Sequence, residues 1–186
     1  MKPNNTNMKQ TILLAATKLF TEKGIKNTSL ADIAKAVGIS KGTLYYHYSS
    51  KDDLIGEIAD AHLSIITSSV LDCVQDVSKE HSKEDMIKAI LDKISKIKGT
   101  GRIHMYLLCE AITGNDSLKD RIMLNYIEWR KTLKSEIEKT LNITGSSDAL
   151  SFLLVSIVDG LVVQSLLKTE EIPFEGIAEF LINHWA

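Results

Sequence analysis

Nine consecutive residues, Ser40-Lys41-Gly42-Thr43-Leu44-Tyr45-Tyr46-His47-Tyr48, set two aliphatic hydroxyls, an ammonium, three phenols and an imidazole around one leucine. Every polar group in that run can hydrogen-bond a base edge or a phosphate. Lys41 and Thr43 fall at the N-terminal end of a short helix, the end that reaches base edges, and Gly42 lets the backbone approach a duplex closely. Ser40 precedes them as a cap. Tyr45, Tyr46 and His47 supply donors, and with Thr28 and Lys51 flanking them they form a set able to clamp phosphates on either side of a groove. Some of these residues also have plainer readings. Leu44 is core in any reading, and the aromatic body of Tyr48 reads as packing. His47 alone would be a surface histidine; its place after two tyrosines is what brings it into the set. Lys51 at a helix start stands against the helix dipole, which suggests an anionic partner.

Such a run works only if other elements hold it. A first helix over 8–23 puts Ile12, Ala16, Leu19 and Phe20 on one face, with Gly24 as a left-handed stop that brings Phe20 and Ile25 together. Ser29 then caps a second helix over 30–37, with Asp32 at its positive end and Leu30, Ile33, Ala34 and Val37 on its apolar face. Gly38 turns the chain, Ile39 plugs the corner and Ser40 caps a third helix over 41–46, which together make a helix-turn-helix. A long fourth helix starts at Lys51, capped by Ser50, and runs to residue 77. Further helices are expected over 83–98, 103–112, 117–141, 148–168 and 174–185, separated by Gly- and Asn-containing breaks and by Pro173.

The ordered series Thr28-Ser29-Leu30-Ala31-Asp32-Ile33-Ala34, then Gly38-Ile39-Ser40-Lys41-Gly42-Thr43-Leu44-Tyr45-Tyr46-His47-Tyr48 and Lys51, resembles the tetracycline-repressor (TetR) family over about residues 8–55. The resemblance places Thr28, Lys41, Thr43, Tyr45, Tyr46, His47 and Lys51 on family DNA-contact positions. Tyr48 stands where the family often has Phe, which keeps its packing role but offers a hydroxyl to solvent. Asp159-Gly160-Leu161 is similar to a feature of the family's dimerisation helix.

Bulk properties agree with a globular helical protein. The chain has 186 residues, of which 44% are hydrophobic and 25% charged, and only two prolines. Its net charge of -2 is unevenly spread: residues 1–52 carry +5 and the remainder -7, so the amino-terminal quarter is the end suited to a polyanion. Cys73 and Cys109 form no CxxC pair and read as two core-type thiols in a reduced, cytoplasmic chain. Residues 1–7 are polar, without the apolar run of a signal peptide. No GxSxG, P-loop, HExxH or paired-carboxylate pattern is present, so no enzyme is expected and no cofactor. His62, His81, His104, Cys73 and Cys109 lack ligand-like spacing, so no metal site is expected either.

The expected fold is therefore all-α with about nine helices: a three-helix DNA-binding domain over 1–52, then a helical domain over 53–186 for effector binding and dimerisation. The stretch 149–167 is almost wholly apolar and must be buried around its circumference. Asp159, Ser151, Ser156, Gln164 and Ser165 within it argue against a membrane span. A homodimer through helices near 148–168 and 174–185, forming a four-helix bundle, accounts for it. Residues His62, Ile66, Met105, Cys109, Tyr126, Trp129, Phe152 and Ser156 are candidate lining groups for a small-molecule effector, with ordinary core packing the competing reading for each. The partners expected are thus double-stranded DNA with a pseudo-palindromic operator, a second copy of the chain and an effector, without a membrane.

Overall fold

The computed structural model describes residues 5–77, 101–141, 145–168 and 170–184. Among these residues all regular structure is helical: α1 (Asn5–Lys23), α2 (Leu30–Val37), α3 (Lys41–His47), α4 (Lys51–Val77), α5 (Gly101–Ile112), α6 (Asp116–Leu141), α7 (Ser147–Leu167) and α8 (Phe174–His184). The helix expected over 83–98 lies outside the described residues, as do His81 and the side chain of Cys73.

Local signals account for most of the boundaries. α1 ends where Gly24 takes φ 86°, and α2 ends where Gly38 takes φ 75°; a side chain at either position would clash with its own backbone. Gly24 N–H donates to Phe20 O at 2.9 Å and Ile39 N–H to Ala34 O at 3.0 Å, closing the last turns. α4 starts on a reciprocal cap in which Asp53 N–H donates to Ser50 Oγ at 3.0 Å and Ser50 N–H to the Asp53 carboxylate at 3.1 Å. Hydrogen bonds from the Ser49 and Ser50 hydroxyls hold the Asp53 carboxyl below its ordinary range. Asn115 accepts from Leu118 N–H at 3.0 Å and so caps α6.

By packing, the chain divides into two compact units. One compact unit joins residues up to Leu63 with Arg102–Ile122; the other takes the remaining described residues of α4, α6, α7 and α8. The first half of α4 and nearly all of α5 therefore belong with the helix-turn-helix. In this unit Ile12, Phe20, Ile33, Leu44 and Leu54 are at most 1% exposed. Cross-helix polar pairs accompany that core, among them Arg121 with Asp60 and the buried pair His62 Nε2 and His104 Nδ1, 3.2 Å apart.

In the second unit Leu161 of α7 is buried among Ile157, Val158, Ile172, Phe174 and Ile177, which joins α7 to α8. Tyr126 on α6 donates its hydroxyl to the Asp159 carboxylate of α7 at 3.0 Å. Burial and that carboxylate push the Tyr126 phenol well above its ordinary pKa. By length and composition α7 could cross a membrane, as could Lys51–Asp72. The expectation that α7 is buried around its whole circumference does not hold within one chain: Phe152, Leu153, Val163 and Leu167 are exposed, as is Phe180 on α8. Cys109 is corrected too, because its thiol is exposed and not in the core.

Candidate nucleic-acid interface

The recognition segment is held by two serine caps and one leucine. Ser29 forms a capping box with Asp32: its Oγ accepts from Asp32 N–H at 3.2 Å, and its own N–H donates to the Asp32 carboxylate at 2.9 Å. The Ser29 hydroxyl, which donates to the Asp32 carboxylate at 2.6 Å, and then the Ser29 N–H hold the Asp32 carboxyl below its ordinary range. Ser40 repeats the device for α3, accepting from Thr43 N–H at 3.0 Å, while the Ser40 and Thr43 hydroxyls lie 2.9 Å apart. Behind the caps, Ile33 and Ala34 of α2 and Leu44 of α3 are buried. With Leu44 pulled inward, helical geometry turns the rest of α3 outward.

Lys41, Gly42, Thr43, Tyr45 and Tyr46 are all exposed, Tyr46 to 75%. His47 is half-buried, with its ring edge-on to Tyr46 at 5.2 Å. Nothing inside the chain demands the glycine at 42: a Cβ there would meet only Ser40 Oγ, at an ordinary 3.7 Å.

Two expected contacts look different in three dimensions. Thr28 is 1% exposed, and its hydroxyl donates to Gly24 O at 3.0 Å. Its side chain locks the α1–α2 turn at the edge of the concavity beside α3. Lys51 reaches back so that Nζ donates to Ile25 O at 2.5 Å and lies 5.9 Å from the centre of the Phe20 ring. A carbonyl and a ring face thus offset its poor place at the start of α4. Tyr48 is buried, as its packing role requires, but its hydroxyl is buried as well and has no hydrogen-bond partner. Burial, followed by the nearby Glu57 carboxylate, pushes the Tyr48 phenol well above its ordinary pKa. Glu57 is itself paired with Lys9 at 2.6 Å, and that ammonium sits 5.4 Å from the Tyr48 ring centre.

Beside α3 an open concavity of about 470 Å³ is lined by Lys26, Asn27, Ser29, Lys41, Tyr45 and Lys51 among others. Three lysines and the start of α2 converge there, an arrangement that favours a phosphate backbone electrostatically. Sequence reasoning missed Lys26 and Asn27. Their only signal was position, in the turn just before the Ser29 cap.

The candidate effector residues are divided between the two packing units. His62, Met105 and Cys109 fall in the first packing unit, whereas Ile66, Tyr126, Trp129, Phe152 and Ser156 fall in the second. His62 is buried against His104. Trp129 is buried, donates Nε1–H to Thr67 Oγ1 at 2.8 Å and packs on the Tyr126 ring at 5.0 Å. Phe152 is exposed and carries the Arg130 guanidinium on its face at 3.7 Å, and the exposed Ser156 bonds the carbonyl of Phe152 in its own helix. Ile66 and Met105 are half-buried. Among the described residues no group of three or more His, Cys, Asp or Glu side chains could hold a metal ion.

Residues 12–58 match the family model described as bacterial regulatory proteins, tetR family. The chain is 46% identical over 50 residues to the HTH-type transcriptional regulator AcrR of Shigella flexneri, a match covering 27% of this chain and 23% of that protein. It is 32% identical over 119 residues to the HTH-type transcriptional regulator SAR2658 of Staphylococcus aureus (strain MRSA252), covering 64% of this chain and 61% of the relative. The chain thus covers less than two thirds of either relative. Its fold is similar, with TM-score 0.79 and 19% identity over 97% of both chains, to a transcriptional regulator from Saccharomonospora viridis solved in complex with choline.

Proposed function

We propose that the chain, whose residues 12–58 match the tetR family of bacterial regulatory proteins, is a member of that family and a sequence-specific DNA-binding transcriptional regulator, a homodimeric repressor released from a pseudo-palindromic operator by a small-molecule effector. The observation that carries the DNA-binding reading is the outward face of α3. Lys41, Thr43, Tyr45 and Tyr46 are exposed around a buried Leu44, next to a lysine-lined concavity. In this reading Lys41 and Thr43 read base edges, and Gly42 admits the duplex. Tyr45, Tyr46, His47 and Lys51 hold phosphates, joined by Lys26 and Asn27. Gly42 fits this role because its own chain would tolerate a side chain there.

Dimerisation supplies the two-fold symmetry of the operator. The exposed apolar residues of α7 and α8 are its natural surface, and a second copy would place two α3 helices about 34 Å apart, one duplex turn. An effector that favours another separation would weaken binding about 5–150-fold through a coupling of ~1–3 kcal/mol. The choline complex of the Saccharomonospora viridis regulator gives a precedent for a small molecule in a fold of this kind. The protein acts in the cytoplasm, without a cofactor, catalysis or a membrane. The exposure of Cys109, Phe152 and Ser156 favours a second reading on one point, that the head binds DNA without ligand control. An activator uses the same contacts.

The test is a gel shift with DNA flanking the protein's own gene, repeated across salt concentrations and with a small-molecule library. Lys41→Ala and Thr43→Ala should change the preference among duplexes. Lys51→Ala should weaken all duplexes alike and lower the salt slope by about 1. Lack of any sequence-preferring, salt-sensitive binding by the wild-type protein would overturn the proposal.

A further inference from the structure

The turn that carries Lys26 and Asn27 has a neighbour far away in sequence. Gly24, buried at the end of α1, lies beneath the ring of Tyr106 on α5: a Cβ built on Gly24 would be 3.6 Å from Tyr106 Cε1 and 3.8 Å from its Cζ. The Asn27 amide closes over the same spot at 3.9 Å and donates to Lys23 O at 3.0 Å. Gly24 O accepts from the buried Thr28 hydroxyl. The next carbonyl, Ile25 O, accepts both Thr28 N–H at 3.3 Å and Lys51 Nζ. Residues 24–28 are therefore a small bonded node that Tyr106 touches at Gly24, and its Lys26 and Asn27, with Lys51 bonded to Ile25 O, line the concavity.

α5 is itself fixed in place. Residues two apart on a helix point about 200° from each other. His104 faces α4, where it pairs with His62, so Tyr106 points away from α4 and onto the turn. Ile103, Leu107 and Ala111 are buried along the same helix. α5 is thus wedged between the first half of α4 and the α1–α2 turn, in the unit that contains the helix-turn-helix.

We propose that α5 is a working part of the DNA-reading head and that Tyr106 is a positioning residue, seating the turn whose Lys26 and Asn27, together with Lys51 bound through Ile25 O, face the phosphate backbone. This inference rests on the DNA-binding reading above. It assigns Tyr106 no contact with DNA. The ring acts by holding a turn, so its loss lowers affinity for every duplex while Lys41 and Thr43 keep their base preference. A ring that merely filled space would lower the melting temperature and leave affinity unchanged wherever the protein is folded.

The experiment compares wild type, Tyr106→Ala and Tyr106→Phe by fluorescence anisotropy, well below the melting temperature of each as checked by circular dichroism. The probes are a duplex from the DNA flanking the gene and a random-sequence duplex of equal length. Tyr106→Ala should bind both duplexes about five-fold more weakly, the equivalent of one weakened phosphate contact, with their affinity ratio unchanged. Tyr106→Phe, which keeps the ring, should restore wild-type binding. Unchanged affinity in Tyr106→Ala, a loss confined to one duplex, or an equal loss in Tyr106→Phe would overturn the inference while leaving the functional reading standing. Failure of the wild type to bind either duplex would overturn both.

Discussion

The helix-turn-helix and the α7–α8 pair treat apolar side chains in opposite ways. In the first, Ile33 and Leu44 are at most 1% exposed within a single chain. In the second, α7 is almost wholly apolar, yet Phe152 and Leu153 are each 50% exposed and Leu167 is 67% exposed. A three-helix head with serine caps and glycine stops closes its own core. A helix that is apolar on every side has more such surface than one chain covers here, and that is the surface the proposed second copy would cover. The comparison separates a region whose stability is intramolecular from one whose stability is expected to depend on concentration.

The largest expected effect lies in the closed region. Leu44→Ala should destabilise the head by about 3 kcal/mol, the sum of lost burial and the cavity left behind, measured by urea denaturation. A loss below about 1 kcal/mol would mean that the head is not the tight core described.

Acid should act on the same unit. His62 is held at a pKa of about 4, first by burial and then by the neighbouring His104, against an ordinary value of 6.5. The fold accepts the neutral ring. Stability is therefore fully present above about pH 6.5 and drains as pH falls toward 4, by about 3 kcal/mol in all. His62→Gln should flatten that part of the stability profile; an unchanged acid limb would exclude His62 as its source.

The smallest of the three effects belongs to the open region. Leu153→Glu should leave the stability of the single chain nearly unchanged but weaken self-association by about 2 kcal/mol, roughly 30-fold, read by light scattering over a dilution series. A dimer of unaltered affinity would take Leu153 out of the interface and weaken the contrast between the two regions.

Much of the head was legible because its signals are local. Ser29 with Asp32, Gly38 before Ile39, and Ser40 three residues before Thr43 each announce a cap or a stop within five residues, and the structure uses each for that purpose. The helical boundaries within the described residues follow for the same reason. Contacts that close the site were not legible, because they join residues far apart. Lys51 reaches a carbonyl 26 residues earlier, and His62 meets a histidine 42 residues later. Tyr106 settles on Gly24 from another helix altogether. Thr28 is a related case: its residue type suits a phosphate contact and a turn-locking bond alike, and only the fold shows that its hydroxyl bonds Gly24 O. Packing units were not legible either, because α4 runs unbroken from one into the other and nothing local marks where the first stops.

By itself the sequence determined the helices, their caps and the polar, outward residues of α3, because capping and amphipathic periodicity are matters of a few neighbouring residues. Tertiary structure alone decided that α5 joins the reading head, that Lys51 is tied to the α1–α2 turn, and which apolar residues of α7 remain uncovered. Burial depends on what lies opposite a side chain in space, and residue order does not specify that directly.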